Sequence, residues 1–378
     1  MNDGITRKEF LQTMAAAAAA ACVPTFTACS AAPKSKIRLG VTLYSYTGDF
    51  RTGTMSLEDC IADVADMGGE GIEILGESHV PDYPDPSEAW IEQWHGLMER
   101  YKTRPSCYDS FVDTLLYKDR VLTPQEIQDM LARDFKLAAK MGYKIIRPTL
   151  PMGGGNPDER YQARIGASAT AAAAYAETFE KALPLAEKYD LKIALEMHSP
   201  IRLKSHWVEA LMDIIARTKT KRLGFTLDMS IFTKRPARFQ EEQLLENGAR
   251  KEILDFIRNA FQQGVGPDKT VAEVKKMGGN EVELRWASGP GIYHYSWNDP
   301  KDLLGIMPYL YHIHGKFWEM TEDLNEYSIP YEEVIPVLIQ GGCDCYFSSE
   351  YEGPRELFAA SKQLRRHHAM LRRLLGAA

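Results

Sequence analysis

From residue 37 onward, short apolar runs alternate with longer stretches of helical pattern, and the alternation repeats eight times. The runs cover residues 37–43, 71–75, 104–108, 144–148, 192–196, 223–228, 309–314 and 345–350. Some, such as Ile193-Ala194-Leu195, are apolar throughout, which suits strands covered on both faces of a parallel sheet. Helix signals fill the gaps. Ser56-Leu57-Glu58-Asp59 offers an N-cap and Gly68-Gly69 a stop. Thr123-Pro124 with Glu126 opens a second helix that halts at Met141-Gly142, and residues 169–189 form a third with Pro184 inside it.

Most steps between run centres fall between about 32 and 48 residues, the length a βα unit needs. Eight such units and a last helix over 355–374 predict a (β/α)8 TIM barrel. The alternative, a doubly wound open sheet, would call for a Gly-x-Gly-x-x-Gly turn after the first strand, and none is there. Gly153-Gly154-Gly155 is not followed by the Lys-Ser/Thr of a phosphate-binding loop. The step from the sixth run to the seventh is longer than the others by roughly 50 residues, so an insertion is expected there. It is placed over residues 232–300, with helices over 241–261 and 270–277 and then the aromatic run Tyr293-His294-Tyr295-Ser296-Trp297. Long βα loops decorate the carboxyl end of a barrel, so a lid or a docking surface is expected there.

Residues 1–29 read as an export leader ahead of a single barrel domain over 30–378. Thr6-Arg7-Lys8-Glu9-Phe10-Leu11 supplies a basic patch, residues 15–21 a run of alanine, and Pro24 a break. The apolar run is shorter than the roughly 20 residues a bilayer span needs. The basic patch is similar to a twin-arginine motif, with Lys8 in place of the second arginine. Phe26-Thr27-Ala28-Cys29 is similar to a bacterial lipobox, with Phe26 for the usual Leu and Cys29 as the lipid anchor. The chain is thus expected to be exported, as a periplasmic protein or a membrane-anchored lipoprotein. With 45 Lys+Arg against 52 Asp+Glu, a net charge of −7 and no basic block, a nucleic-acid partner is not expected. Cys60, Cys107, Cys343 and Cys345 lack C-x-x-C spacing and read as plain thiols.

The last four runs end in carboxylates or imidazoles: Glu196 and His198, Asp228, His312 and His314 with Lys316, and Glu350. Alternate strand residues share a face, so Glu196 and His198 point one way, as do His312, His314 and Lys316. With Glu196, Asp228, His314 and Glu350 inward, they converge at one barrel mouth. Three carboxylates there repel one another unless a counter-charge intervenes. Three oxygen donors and one imidazole suit one divalent ion, Mn²⁺ foremost, with Co²⁺, Mg²⁺ or Zn²⁺ as alternatives.

On these residues the chain resembles the xylose isomerase-like barrels of the sugar phosphate isomerase/epimerase superfamily. That resemblance implies one metal held by Glu196, Asp228, His314 and Glu350. Ketose epimerases of the superfamily carry a second His three residues after the strand-6 Asp; Ile231 stands there. Narrower likeness lies in residues 311–320, in Ser348-Ser349-Glu350-Tyr351-Glu352-Gly353-Pro354 and in the basic stretch 363–373. These segments resemble the catalytic subunits of C-glycoside deglycosidases, which act on 3-keto-glycosides and work with a small second subunit.

The shared chemistry is removal of a weakly acidic hydrogen beside a sugar carbonyl, with a metal stabilising the oxyanion. Lyase- or hydratase-type action on 3-keto-glycosides or 3-keto-glucals is the leading expectation. A sugar isomerase or epimerase, and a non-catalytic sugar-binding protein, are the alternatives. His198 is the expected general acid/base, since imidazole ordinarily titrates near neutrality, with Glu196 or Glu350 as substitute base. Lys316 is expected to hold a substrate oxygen, and Trp318, Tyr44 and Tyr46 to stack on sugar faces or pack under loops. Glu73 is left outside the ligand set. A small-molecule sugar or glycoside is the expected partner, with a second subunit or further copies of the chain as protein partners.

Overall fold

The computed structural model describes residues 35–111, 122–149, 169–295, 297–354 and 356–376. The leader with Cys29, and Gly153-Gly154-Gly155, lie outside the described residues. Eight parallel strands pair in chain order and the last pairs with the first, closing the barrel. They are β1 (Arg38–Thr42), β2 (Gly71–Leu75), β3 (Arg104–Phe111), β4 (Ile145–Thr149), β5 (Lys192–Met197), β6 (Leu223–Asp228), β7 (Leu310–Phe317) and β8 (Tyr346–Tyr351). Every run read from the sequence is a strand. β3 and β7 extend three residues beyond the ends assigned from apolar character, because the residues they add include polar ones that the barrel buries, such as Ser110 and Lys316.

The surrounding helices start where the caps direct. In α1 (Leu57–Asp66), the Ser56 side chain accepts from the Asp59 amide while Asp59 accepts from Ser56. After α2 (Glu88–Tyr101), Thr123 and Glu126 form the same reciprocal cap on α3 (Pro124–Lys140). Next come α4 (Ala169–Lys188), which contains Pro184, and α5 (His206–Thr218). No helix among the described residues is long and apolar enough to cross a membrane.

Between β6 and β7 the chain builds α6 (Arg238–Glu246), α7 (Lys251–Gln262), α8 (Pro267–Lys276) and α9 (Glu281–Trp286). The single helix expected over 241–261 is two: Gly248, at φ +90°, follows Asn247 and ends the first. Ile253, Ile257, Val274, Ala287 and Ile292 give this region a small apolar core of its own. Asn298 then fastens its far end, donating from Nδ2 to Ile231 O at 2.8 Å and accepting from the Leu203 amide at 2.9 Å. The barrel resumes with β7, α10 (Tyr331–Gln340), β8 and α11 (Ala359–Leu375).

Outward strand residues and the helices form the main core. Trp207 of α5 lies against Phe225 with ring centroids 6.0 Å apart, and His367 of α11 stacks on Phe317 at 4.1 Å. Gly315 makes room for that packing: a Cβ there would sit 2.3 Å from the Phe347 ring and 3.2 Å from His367. With α11 seated this closely, the neighbours of Gly315, His314 and Lys316, are held turned into the barrel.

Candidate metal centre

Strand alternation sends Thr226 and Asp228, His312, His314 and Lys316, and Ser348 and Glu350 to the barrel interior, all of them buried. Pairing register sets Asp228 opposite His314 and Lys316 opposite Glu350. Glu196 joins from β5. One ligand atom from each of Glu196, Asp228, His314 and Glu350 lies within 4.8 Å of the others. His314 Nδ1 is 2.7 Å from Glu196 Oε1 and 3.5 Å from Glu350 Oε2. The four side chains singled out in the sequence are therefore brought together.

Asp228 spends Oδ1 on the Ser230 amide at 2.7 Å. Its Oδ2, and Oε2 of Glu350, are buried without a hydrogen-bond partner among the described residues. Such oxygens are costly to strand in a protein interior. Lys316 Nζ stands near both, at 3.4 and 3.1 Å, and 3.0 Å from Glu352 Oε1. The lysine is buried among carboxylates rather than solvated at a rim, and Asp228 with Glu350 holds its pKa well above the usual value against the pull of burial. Burial also opposes ionisation of Glu196, but Arg147 and His314 overcome it and keep that carboxyl well below its ordinary range. Glu350 is the opposite case: burial prevails over Lys316 and His314 and pushes it up to about 7. A compact set of three carboxylates and one imidazole, with two oxygens outside any hydrogen bond, fits a divalent cation.

His198 lies just past β5. Its Nδ1 is 2.6 Å from Ser199 O, which only accepts, so Nδ1 carries a proton and the neutral ring offers Nε2 as a base. That Nε2 is 3.9 Å from Asp228 Oδ2, at the edge of the cluster. His294, brought in by the insertion, sits over it with ring centroids 6.3 Å apart. Trp318 is buried against Tyr295 at 5.5 Å, whereas Tyr46 is turned away and donates to Asp63 Oδ2 at 2.7 Å. Beside the mouth, a cavity of about 540 Å³ is lined by Phe239, Trp318, Leu357 and Phe358 with Arg238 and Lys362.

Sequence reasoning missed the inner residues of β3 and β4, and it left Glu73 of β2 outside the ligand set without naming its partners. Arg147 donates from Nε and Nη2 to the two oxygens of Asp109 at 2.8 and 2.9 Å, and its Nη1 lies 3.3 Å from Glu196 Oε2. Glu73 places its oxygens 2.6 Å from His312 Nε2 and 2.6 Å from His314 Nε2. The available signal was a charge in or just past each apolar run, with nothing local to name its partner.

Curated relatives share this chain over most of its length. The C-glycoside deglycosidase alpha subunit of Arthrobacter globiformis is 28% identical over 328 residues, 84% of this chain and 86% of that protein. The 3'-dehydrocarminate deglycosidase alpha subunit of a Microbacterium species is 26% identical over 362 residues, 90% of this chain and 95% of that one. Among solved structures, D-allulose 3-epimerase from a Methylomonas species superposes with a TM-score of 0.52 at 13% identity, covering 91% of this chain and 100% of that one. The IOLI protein with a bound zinc atom gives 0.52 at 12% identity, covering 90% and 98%. At such identities these two share the fold. The profile of one family runs over residues 61–374, nearly the whole closed barrel just described, and the chain belongs to it: the xylose isomerase-like TIM barrels.

Proposed function

We propose that this chain is a metal-dependent sugar enzyme of the lyase or hydratase type, acting on 3-keto-glycosides or 3-keto-glucals. The observation that carries the reading is the meeting of Glu196, Asp228, His314 and Glu350 within 4.8 Å, with buried oxygens outside any hydrogen bond. Deglycosidase alpha subunits as relatives point to the glycoside class, and the cavity beside the mouth, lined by Phe239, Trp318, Leu357 and Phe358 and by charged groups such as Arg238, Glu319 and Lys362, has room for a non-sugar group. "Alpha subunit" in those names also favours a second subunit for this chain.

Glu196, Asp228, His314 and Glu350 would hold one divalent ion, with Mn²⁺ as first choice. When bound, that ion supplies Lewis-acid charge against the negative charge that develops on a sugar oxygen. His198 Nε2 takes the proton from the carbon beside the carbonyl and later returns it to the departing group. The Lys316 ammonium faces a substrate oxygen, and Arg147 keeps Glu196 ionised and in place. The insertion, through His294 and Tyr295, screens the mouth from water. Ile231 is buried and apolar where the ketose epimerases carry a histidine, which disfavours the epimerase alternative. Export by residues 1–29, with a lipid on Cys29, belongs to the same proposal; fatty-acid labelling lost in Cys29→Ser supports it, and label on both proteins ends it.

The test is to strip the purified protein of metal, reload it with Mn²⁺, Co²⁺ or Mg²⁺, and supply a 3-keto-glucoside or a free ketose. Metal-dependent aglycone release is the expected result. Epimer formation alone would replace the lyase reading with the isomerase one. No turnover with any ion, while Glu196→Gln and Glu350→Gln still bind sugar, would leave a binding protein.

A further inference from the structure

We propose that Glu73 is a positioning residue that fixes which nitrogen of His314 faces the metal centre. The inference rests on the reading that Glu196, Asp228, His314 and Glu350 bind a divalent ion. Glu73 comes from β2 and His314 from β7, across the barrel, and both are fully buried.

An imidazole has two nitrogens, and the one that ligates is decided by what the other is doing. Nε2 of His314 lies 2.6 Å from Glu73 Oε1, close although not aligned as a hydrogen bond. Nδ1, on the other side of the ring, is hydrogen-bonded to Glu196 Oε1 at 2.7 Å and lies 3.5 Å from Glu350 Oε2, so each nitrogen faces a carboxylate. An ion held by Glu196, Asp228 and Glu350 would take the Nδ1 lone pair and leave the ring's proton on Nε2, against Glu73. Glu73 is itself held, because its other oxygen accepts from His312 Nε2 at 2.6 Å. His312 Nδ1 is buried with no hydrogen-bond partner among the described residues, so that ring depends on Glu73 in turn. Three side chains thus form one line, His312–Glu73–His314, ending at the metal side.

The same region offers two other groupings with ligand atoms within 4.8 Å, Glu73 with Cys107 and His312, and Glu73 with Asp109 and His314. Neither reads as a second ion site. Glu73 Oε2 accepts from His312, its Oε1 lies 2.6 Å from His314 Nε2, and both oxygens of Asp109 accept from Arg147. The arrangement favours one ion per chain.

The experiment is a Mn²⁺ titration of the full-length protein followed by electron paramagnetic resonance, comparing wild type with Glu73→Gln. An amide presents an N–H to one of the two rings, so the line is broken while the shape is kept. Mn²⁺ affinity is expected to weaken by about 10- to 100-fold, and saturating Mn²⁺ should restore kcat with the sugar KM unchanged. A purely structural residue would not be rescued by metal. If Glu73→Gln does not fold, His312→Gln, which leaves Glu73 without its anchor, is expected to weaken Mn²⁺ binding by a smaller factor within that range. Unchanged Mn²⁺ affinity in a folded variant overturns the inference, as does a second ion per chain that Cys107→Ser abolishes. Failure of wild type to bind any divalent ion is a separate result, which removes the metal reading beneath it.

Discussion

On β3 and β4, Asp109 and Arg147 stand side by side, and two hydrogen bonds of 2.8 and 2.9 Å use up the carboxylate. On β6 to β8, Asp228 and Glu350 share one lysine at 3.4 and 3.1 Å, and each keeps a buried oxygen outside any hydrogen bond. Both regions bury charge in the same barrel at similar depth. The first closes its charges on one another, as buried pairs must if they are not to destabilise a core. The second leaves its valences open. A site that must accept a ligand cannot be self-satisfied, so the unsatisfied side of the barrel is the one that fits the proposed function, and the satisfied side fits a supporting role.

The largest effect should come from filling in the open side. Glu350→Gln is expected to lower turnover by about 10³-fold or more, while the melting temperature of the metal-free protein holds or rises because a repelling charge is gone. Turnover assays with parallel thermal melts check this; a variant that keeps its activity would show that the open carboxylates are not the working ones. Breaking the closed side should act on stability, with turnover falling too because Arg147 also holds Glu196. Arg147→Met strands Asp109 in the interior and is expected to cost about 3–5 kcal/mol in urea unfolding, with most of it recovered in the Arg147→Met/Asp109→Leu double variant. A loss under about 1 kcal/mol would remove the distinction between the two regions.

The smallest effect concerns a third treatment of buried charge, neutralisation. Glu77, just past β2, accepts from the Phe111 amide at 2.8 Å, and its Oε2 is buried without a hydrogen-bond partner. Burial, with Asp134 adding to it, pushes its pKa up to about 7 from 4.5. A carboxyl raised on folding binds its proton more tightly in the folded state. Its contribution to stability is full below its unfolded value and is lost as pH rises through about 7. Glu77→Gln keeps the neutral form at every pH, so its melting temperature is expected to fall less than that of wild type between pH 5 and 8, by about a few degrees. Equal slopes would mean that Glu77 is charged in the folded protein.

Much of this architecture was legible because it is written locally. Eight strands and the caps at Ser56 and Thr123 follow from apolar runs and from polar residues three apart, both short-range signals. That Glu196, Asp228, His314 and Glu350 would meet was legible for a related reason: alternation turns strand-end carboxylates and imidazoles inward, and the family resemblance singled out His314 from His312. Glu73 was not, because its partner His312 lies 239 residues away and only barrel closure brings them together. Arg147 and Asp109 hid in the same way, Arg147 the one charge of β4 and Asp109 sharing β3 with Arg104. The split between α6 and α7 was available in Asn247-Gly248, a common helix ending, and was overridden by the helical pattern on either side.

The peg formed by Asn298 has a practical consequence. It ties the root of the insertion to the loops behind β5 and β6, while Ile253, Ile257 and Val274 give the helices beyond an interior independent of the barrel. Directed evolution can therefore randomise the outer faces of α7 to α9 as an interchangeable tool head while the collet that grips it stays untouched.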